Sequence, residues 1–311
     1  MTQELATPPV AAEVLTVPTG AGAVSRGLTA LRRWTRHQPL GLASLVIILI
    51  MTVAAVFAPV LAPHSPTKTD LNAPRLQAPT RSYPFGTDSL GRDVLSQVIY
   101  GARVSLIAGV AATVLGSLVG SVVGLVAGYR GGAFDLVVQQ IMDGIMAIPA
   151  LVLLLLIATI LGPSMWHVIE ALSLVIMPYA YRVIRSGALI ARAQSYVEAA
   201  RVVGASGPRI VFLHILPNVM ALIIVIASIT VGGAMLVEGA LSFLGLGIPT
   251  DDPTWKTSWG AMLSPRNLGY MEQDPWLPIF PGGALMLAVL AFNLLGDSLR
   301  DILDPRLRGS V

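Results

Sequence analysis

The sequence predicts an all-α integral membrane protein with six transmembrane helices, and three observations predict it. Of its 311 residues, 54% are hydrophobic and only 12% charged. Mean hydropathy is +0.74, well above what a water-soluble globular domain shows. The apolar residues gather in long uncharged runs, and the 20 lysines and arginines flank those runs. That placement ties the pI near 9.4 to membrane orientation rather than to nucleic-acid binding. Cysteine is absent, which excludes disulfides, thiol catalysis and cysteine metal sites. The four histidines (His37, His64, His167, His214) are too scattered to suggest a metal site.

Taken in order, residues 1–40 are an N-terminal tail. Residues 1–25 carry only Glu4 and Glu13 as charges and predict a disordered segment. The first apolar run, 41–62, starts too late and runs too long for a cleaved signal peptide, so it is expected to be a retained anchor. Residues 63–100 form an external loop. Its end places Val94, Leu95, Val98, Ile99 and Ala102 on one helical stripe, which predicts an amphipathic helix over 93–106 on the outer surface. Residues 101–300 make up the core domain. Its runs centre on 104–129, 144–163, 213–237 and 279–296, and each can cross ~30 Å of hydrocarbon, which takes about 20 residues. Residues 246–278 are a second external segment, and 301–311 a C-terminal tail.

A further run, 165–183, is weaker because it contains Glu170 and leads into Arg182. Charge decides its fate. With Arg26, Arg32, Arg33 and Arg36 placed in the cytoplasm, six spans put thirteen of the 20 basic residues inside and seven outside. Five spans would invert that count. Six spans are therefore expected, with both termini and the segment 184–212 cytoplasmic.

Three constellations stand out within the spans. Gly116, Gly120, Gly124 and Gly128, preceded by Ala108 and Ala112, form a ridge of small residues at fourth-residue spacing. Such a ridge lets helices pack backbone to backbone. It serves either packing within the chain or a surface that slides during a transport cycle. Glu238 near the outer end of the fifth span lines a pathway or makes a structural hydrogen bond, since a buried charge in lipid needs a cavity or a partner. Glu170 lies shallow enough to reach headgroup water. Trp259, with Trp255 and Trp276, is either an interfacial anchor or part of a docking or gating surface. Asp251 and Asp252 read as a solvated turn.

The most informative segment runs from Tyr196 to Pro217. Glu198, Ala199 and Ala200 end a short helix, and Gly204 supplies the backbone freedom to stop it. Ser206-Gly207-Pro208 restarts a helix with a capping residue and a first-turn proline. Leu216-Pro217 opens the next span. Small side chains in a charged elbow between two spans suit close approach by another protein.

This elbow resembles the cytoplasmic coupling motif of ABC importer permeases: Glu-Ala-Ala, three residues, Gly, nine residues, Ile-x-Leu-Pro. Here His214 stands in the isoleucine place. His214 to Asn218 is similar to the His-x-Leu-Pro-Asn ending of the dipeptide, oligopeptide and nickel branch. Phe85-Gly-Thr-Asp-Ser-Leu-Gly-Arg-Asp93, Tyr100-Gly-Ala-Arg-Val-Ser-Leu106, Leu241-Ser-Phe-Leu-Gly-Leu-Gly247, Ser258-Trp-Gly260 and Asn293-Leu-Leu-Gly-Asp-Ser-Leu-Arg-Asp301, leading to Asp304-Pro-Arg306, point to the second permease type of that branch.

The resemblance covers about residues 30–308 and implies the type I importer permease fold in a bacterial or archaeal cytoplasmic membrane. It implies a homologous second permease, two cytoplasmic ATPase subunits and an external substrate-binding protein as partners. ATP and magnesium would sit on the ATPases, with no cofactor on this chain and no catalytic residue in it. Glu198, Ala199, Ala200, Gly204, Leu216 and Pro217 would carry ATPase coupling. Small peptides, nickel chelates or glutathione are the implied substrate classes. The chain contains no Gly-x-x-x-x-Gly-Lys-Ser/Thr phosphate loop. A secondary transporter or channel is the alternative, for which Gly232-Gly233 within a span is the one hint. An intramembrane enzyme would need a nucleophile or metal cluster in the spans, and the sequence offers neither.

Overall fold

The computed structural model describes residues 38–69, 74–249 and 254–303. The expected disordered tail over 1–25, the turn at Asp251 and Asp252, and the C-terminal tail beyond 303 lie outside the described residues. Those described are helical with no strand. The helices are α1 Pro39–Val56, α2 Ala58–Leu61, α3 Val94–Arg130, α4 Gly132–Ala147, α5 Ala150–Leu161, α6 Met165–Arg192, α7 Ser195–Val202 and α8 Gly207–Ile210. A π-helical turn, Val211–Ile215, leads into α9 Leu216–Phe243. Short helices α10 Trp259–Met262 and α11 Pro265–Leu268 precede α12 Trp276–Leu303. Among the described residues, five helical stretches are long and apolar enough to cross a membrane, and the bent pair α4–α5 makes a sixth if taken as one span.

The segment over 93–106 is helical but not separate. Asp93 caps it, its Oδ2 accepting the Ser96 N–H at 3.0 Å, and the helix then runs unbroken for 37 residues to Arg130. At 1.5 Å per residue α3 is roughly 55 Å long, well beyond the hydrocarbon thickness. It ends where Gly131 takes φ 67°.

The run at 144–163 departs from a straight crossing. Helices α4 and α5 meet at 86°. Ile148 precedes a proline and is extended (φ −88°, ψ 127°), because the proline ring disfavours a helical residue before it. Pro149 also has no N–H to continue the ladder.

The weaker run at 165–183, by contrast, sits inside one of the long helices, α6. Glu170 is exposed on its surface. Arg182, which weakened the run, and Arg185 beyond it are both paired with carboxylates of α4. Arg185 makes a bidentate pair with Asp135 (2.5 and 2.6 Å), and Arg182 pairs with Asp143 at 2.8 Å.

Helix α3 is the central post. Val104, Ala108 and Ala112 pack with Leu154, Ile169, Leu172 and Ile176 of α5 and α6. Val94, Ala102 and Leu106 pack with Met235, Trp259, Leu277 and Phe292. Leu125 meets Ile184, Ala188 and the elbow. The glycine ridge makes the α3–α6 approach close. A Cβ on Gly116 would lie 2.7 Å from the Ser173 carbonyl oxygen, and one on Gly128 would lie 2.8 Å from the Ala188 Cβ. One on Gly120 would collide with the Met177 carbonyl oxygen.

The candidate coupling elbow and the outer wedge

Helix α7 buries one stripe and exposes the other. Val197 is fully buried and Ala200 nearly so, against Ile184, Ala188 and Ile210. Glu198 and Ala199 face outward, as do Val202 (87% exposed) and Val203 (83%). Two adjacent, almost fully exposed valines lie at the tip of the elbow.

The stop after α7 is a Schellman motif. Gly204 has φ 81°. Its N–H donates to the Arg201 carbonyl (3.0 Å), and the Ala205 N–H donates to the Ala200 carbonyl (3.0 Å). An L side chain in that conformation costs about 1–2 kcal/mol, while the space beside Gly204 is open. The glycine is therefore required by its backbone angle, not by crowding. Ser206 occupies the cap position of α8, with Pro208 in the first turn, but its side chain makes no capping hydrogen bond.

Pro217 explains the wide turn before α9. Proline cannot donate to the carbonyl four residues back, and its ring crowds that carbonyl. The Leu216 N–H instead reaches the Val211 carbonyl, five residues back. The Asn218 amide donates to the His214 carbonyl at 2.6 Å. Leu216 is partly buried and Pro217 exposed. Single-turn π segments of this kind concentrate at functional sites.

The elbow is braced on the end of α3. The Arg201 guanidinium lies 5.7 Å over the Tyr129 ring. A Cβ on Gly207 would sit 3.2 Å from that ring. Between the elbow's helices a groove of about 460 Å³ is lined by Ala199, Val203, Gly204, Arg209 and His214 among others. Half of its lining is small (Ala199, Ala200, Gly204 and Ala205), and Arg209 supplies a positive charge. The structure thus places Glu198, Ala199 and Arg201 to Gly204 on one exposed knob over buried Val197 and Ala200, with Leu216 and Pro217 opening α9.

At the opposite end of α3, Glu238 and Trp259 come together through Ser105. Glu238 has no exposed surface. Its Oε1 accepts the Ser242 hydroxyl at 2.7 Å and its Oε2 the Ser105 hydroxyl at 3.2 Å. Ser105 Oγ accepts the Trp259 backbone N–H at 3.3 Å, and the Trp259 indole donates to the Val98 carbonyl at 2.9 Å. Trp259 is 1% exposed, so its ring is inside the fold and not at a lipid interface. Helix α10 is wedged between α3 and α9. A Cβ on Gly101 would lie 2.7 Å from the indole, and one on Gly260 would lie 2.5 Å from the Gly239 Cα. Sequence reasoning picked out Glu238 and Trp259 separately. It missed Ser105, Gly101 and Gly260 as their sockets, and it missed the Asp135–Arg185 pair. Ser105 lies 133 positions before Glu238, so their contact leaves no signal in sequence spacing.

The sequence relationships agree with this architecture. Residues 116–309 match the family described as binding-protein-dependent transport system inner membrane component. Residues 26–79 match the N-terminal TM domain of oligopeptide transport permease C. The chain is 39% identical over 274 residues to the probable D,D-dipeptide transport system permease protein DdpC of Escherichia coli K12, covering 88% of this chain and 90% of that one. It is 38% identical to the dipeptide transport system permease protein DppC of Alkalihalophilus pseudofirmus, covering 88% of each. It is 37% identical to the glutathione transport system permease protein GsiD of Escherichia coli O6:K15:H31, covering 88% and 89%. With its multi-span helical core and an exposed elbow between two spans, the chain belongs to the family of binding-protein-dependent transport system inner membrane components, the permease subunits of ABC transporters.

Proposed function

We propose that this permease forms half of the translocation pathway of an ATP-driven importer for short peptides in a bacterial cytoplasmic membrane. A homologous permease supplies the other half, two cytoplasmic ATPases bind ATP and magnesium, and an external binding protein delivers the solute. The observation that carries the reading is the elbow. A rigid knob, stopped by Gly204 and braced on Tyr129, presents Glu198, Ala199, Val202 and Val203 outward. Exposed apolar side chains at a polar membrane boundary suit a protein partner. The relatives named for dipeptides and glutathione support a small-peptide substrate.

The mechanism follows from where the elbow is attached. Closure of the ATPase pair carries the knob with it, and α6 and α9, joined through the elbow, tilt as it moves. Coupling of this kind needs a contact whose geometry differs between two states, so stiffness matters more than affinity. Isolation in mild detergent is expected to bring down an ATPase and a second permease. Glu198→Arg and Gly204→Pro are expected to insert normally, lose uptake and weaken ATPase attachment. Recovery of a lone, transport-competent chain, or unchanged uptake in both variants, refutes the reading.

A further inference from the structure

The turn at 85–93 and the segment at 254–267 enclose a small polar cup of about 130 Å³ at the end of α3 remote from the elbow. Gln97 at the cup and Tyr129 at the elbow are roughly 48 Å apart along the helix, at 1.5 Å per residue. Arg92, Lys256 and Arg266 line the cup, with Ser89, Thr257 and Asn267 between them. No aspartate or glutamate lines it among the described residues.

Asp88, bonded to residues that line the cup, is already engaged. Asp88 Oδ1 accepts the backbone N–H groups of Leu90 (2.8 Å) and Arg92 (2.9 Å). Its Oδ2 accepts Arg92 Nε (2.7 Å) and the Gln97 amide (3.1 Å). The Lys256 ammonium lies 4.9 Å over the Tyr100 ring. Among the described residues neither Lys256 nor Arg266 has a carboxylate at ion-pair distance. Among the described residues, two cations without a carboxylate partner and one shared with Asp88 therefore line the cup beside hydroxyl and amide donors, an arrangement that selects negative charge.

Size decides what that charge belongs to. Pockets that enclose small-molecule ligands run to about 300–1,000 Å³, so the cup is too small for a peptide. It holds a few waters or the end of one carboxylate side chain. We infer that the cup is a docking socket for a single aspartate or glutamate side chain on an external protein. This rests on the proposed importer reading, in which a binding protein settles on this face.

The chain has no cysteine, so Ser264→Cys places a single thiol on this subunit at the cup. The Ser264 side chain makes no capping bond that the change would remove. In the assembled transporter in nanodiscs, labelling of this subunit is followed by mass with an anionic sulfonatoethyl and a cationic trimethylammonioethyl methanethiosulfonate. Relative to a free thiol, the anionic reagent is expected to react about tenfold faster. Lys256→Gln with Arg266→Gln should abolish that preference. The purified binding protein should slow both reagents, and lose that protection in the double variant.

Equal rates for the two reagents overturn the socket. Charge preference without protection shows a site for free anions only and overturns the protein partner. Faster labelling after Asp251→Asn and Asp252→Asn shows that this chain fills its own cup, and also overturns it. An assembly whose ATPase responds to the binding protein while the thiol stays unprotected sinks the socket alone. An assembly that responds to no external protein sinks the importer reading as well.

Discussion

Replacing Gly124 by alanine should destabilise the protein, although alanine is the better helix former. The Cβ would lie 2.7 Å from the Tyr181 carbonyl oxygen, 3.1 Å from the Arg185 N and 3.3 Å from the Tyr181 Cα. All three obstacles are backbone atoms of α6, so no rotamer change makes room. Restoring ordinary contact requires α3 and α6 to part locally by roughly 0.8 Å, given optimal separations near 3.5 Å. Overpacking of that order costs about 1–3 kcal/mol, against a gain of about 0.5–1 kcal/mol from replacing a helical glycine. The net expectation is a loss of about 1–2 kcal/mol. Gly144→Ala is the matched control. Gly144 is helical, exposed and has nothing within 4 Å of an added Cβ, so only the helix-propensity gain of about 0.5–1 kcal/mol remains. Denaturant titration of the full chain in lipid bicelles, followed by tryptophan fluorescence, reads both variants. Gly124→Ala unfolding at the same or higher denaturant than the parent would refute the account of the ridge as a backbone-contact surface.

Other substitutions probe the remaining contacts. Glu238→Gln keeps acceptor and shape and should cost little, whereas Glu238→Ala strands two buried hydroxyls and should cost about 1–3 kcal/mol; equal stability of the two would remove the network's structural role. Trp259→Ala empties the wedge and should cost about 3–5 kcal/mol, read as a lowered thermal midpoint. Asp135→Ala and Arg185→Ala should be non-additive, with a coupling of about 0.5–3 kcal/mol in a double-mutant cycle; additive losses would show that the pair does not hold α4 to α6. Burial raises the Asp274 carboxyl above the ordinary carboxylate range, an effect partly opposed by the N–H it accepts from Trp276. The folded state therefore binds this proton more tightly than the unfolded chain. Stability from this group is fully present below the ordinary carboxylate value and is lost as pH rises through the raised one. Asp274→Asn should flatten that acid-side dependence; an unchanged profile would assign it to other groups.

Much of the architecture could be read from the chain because membrane insertion leaves a coarse signature. Length and charge placement set the apolar runs, and the elbow's glycine and proline carry their own backbone logic. Other features depend on contacts that composition cannot report. The 144–163 run is apolar throughout, and only Ile148-Pro149 distinguishes a crossing from a bend. The 165–183 run looked weak because Glu170 and Arg182 were counted without their surroundings: Glu170 is exposed on the helix surface, and Arg182 pairs with Asp143, 39 positions away in sequence. Trp259 reads as an interfacial residue until Gly101 and Gly260 are seen to make room for it. Its burial is a property of three segments meeting, and no single segment encodes it.

Because α3 has no proline and runs 37 residues without interruption, it behaves as a crowbar through the whole membrane. One end carries Tyr129 beneath the elbow, and the other holds Gly101 against the indole of Trp259. A 10° rocking about its midpoint would swing each tip roughly 5 Å in opposite directions, for a rod of about 55 Å. A push delivered at the elbow end would thus be felt at the indole end at once, without any intervening joint having to yield.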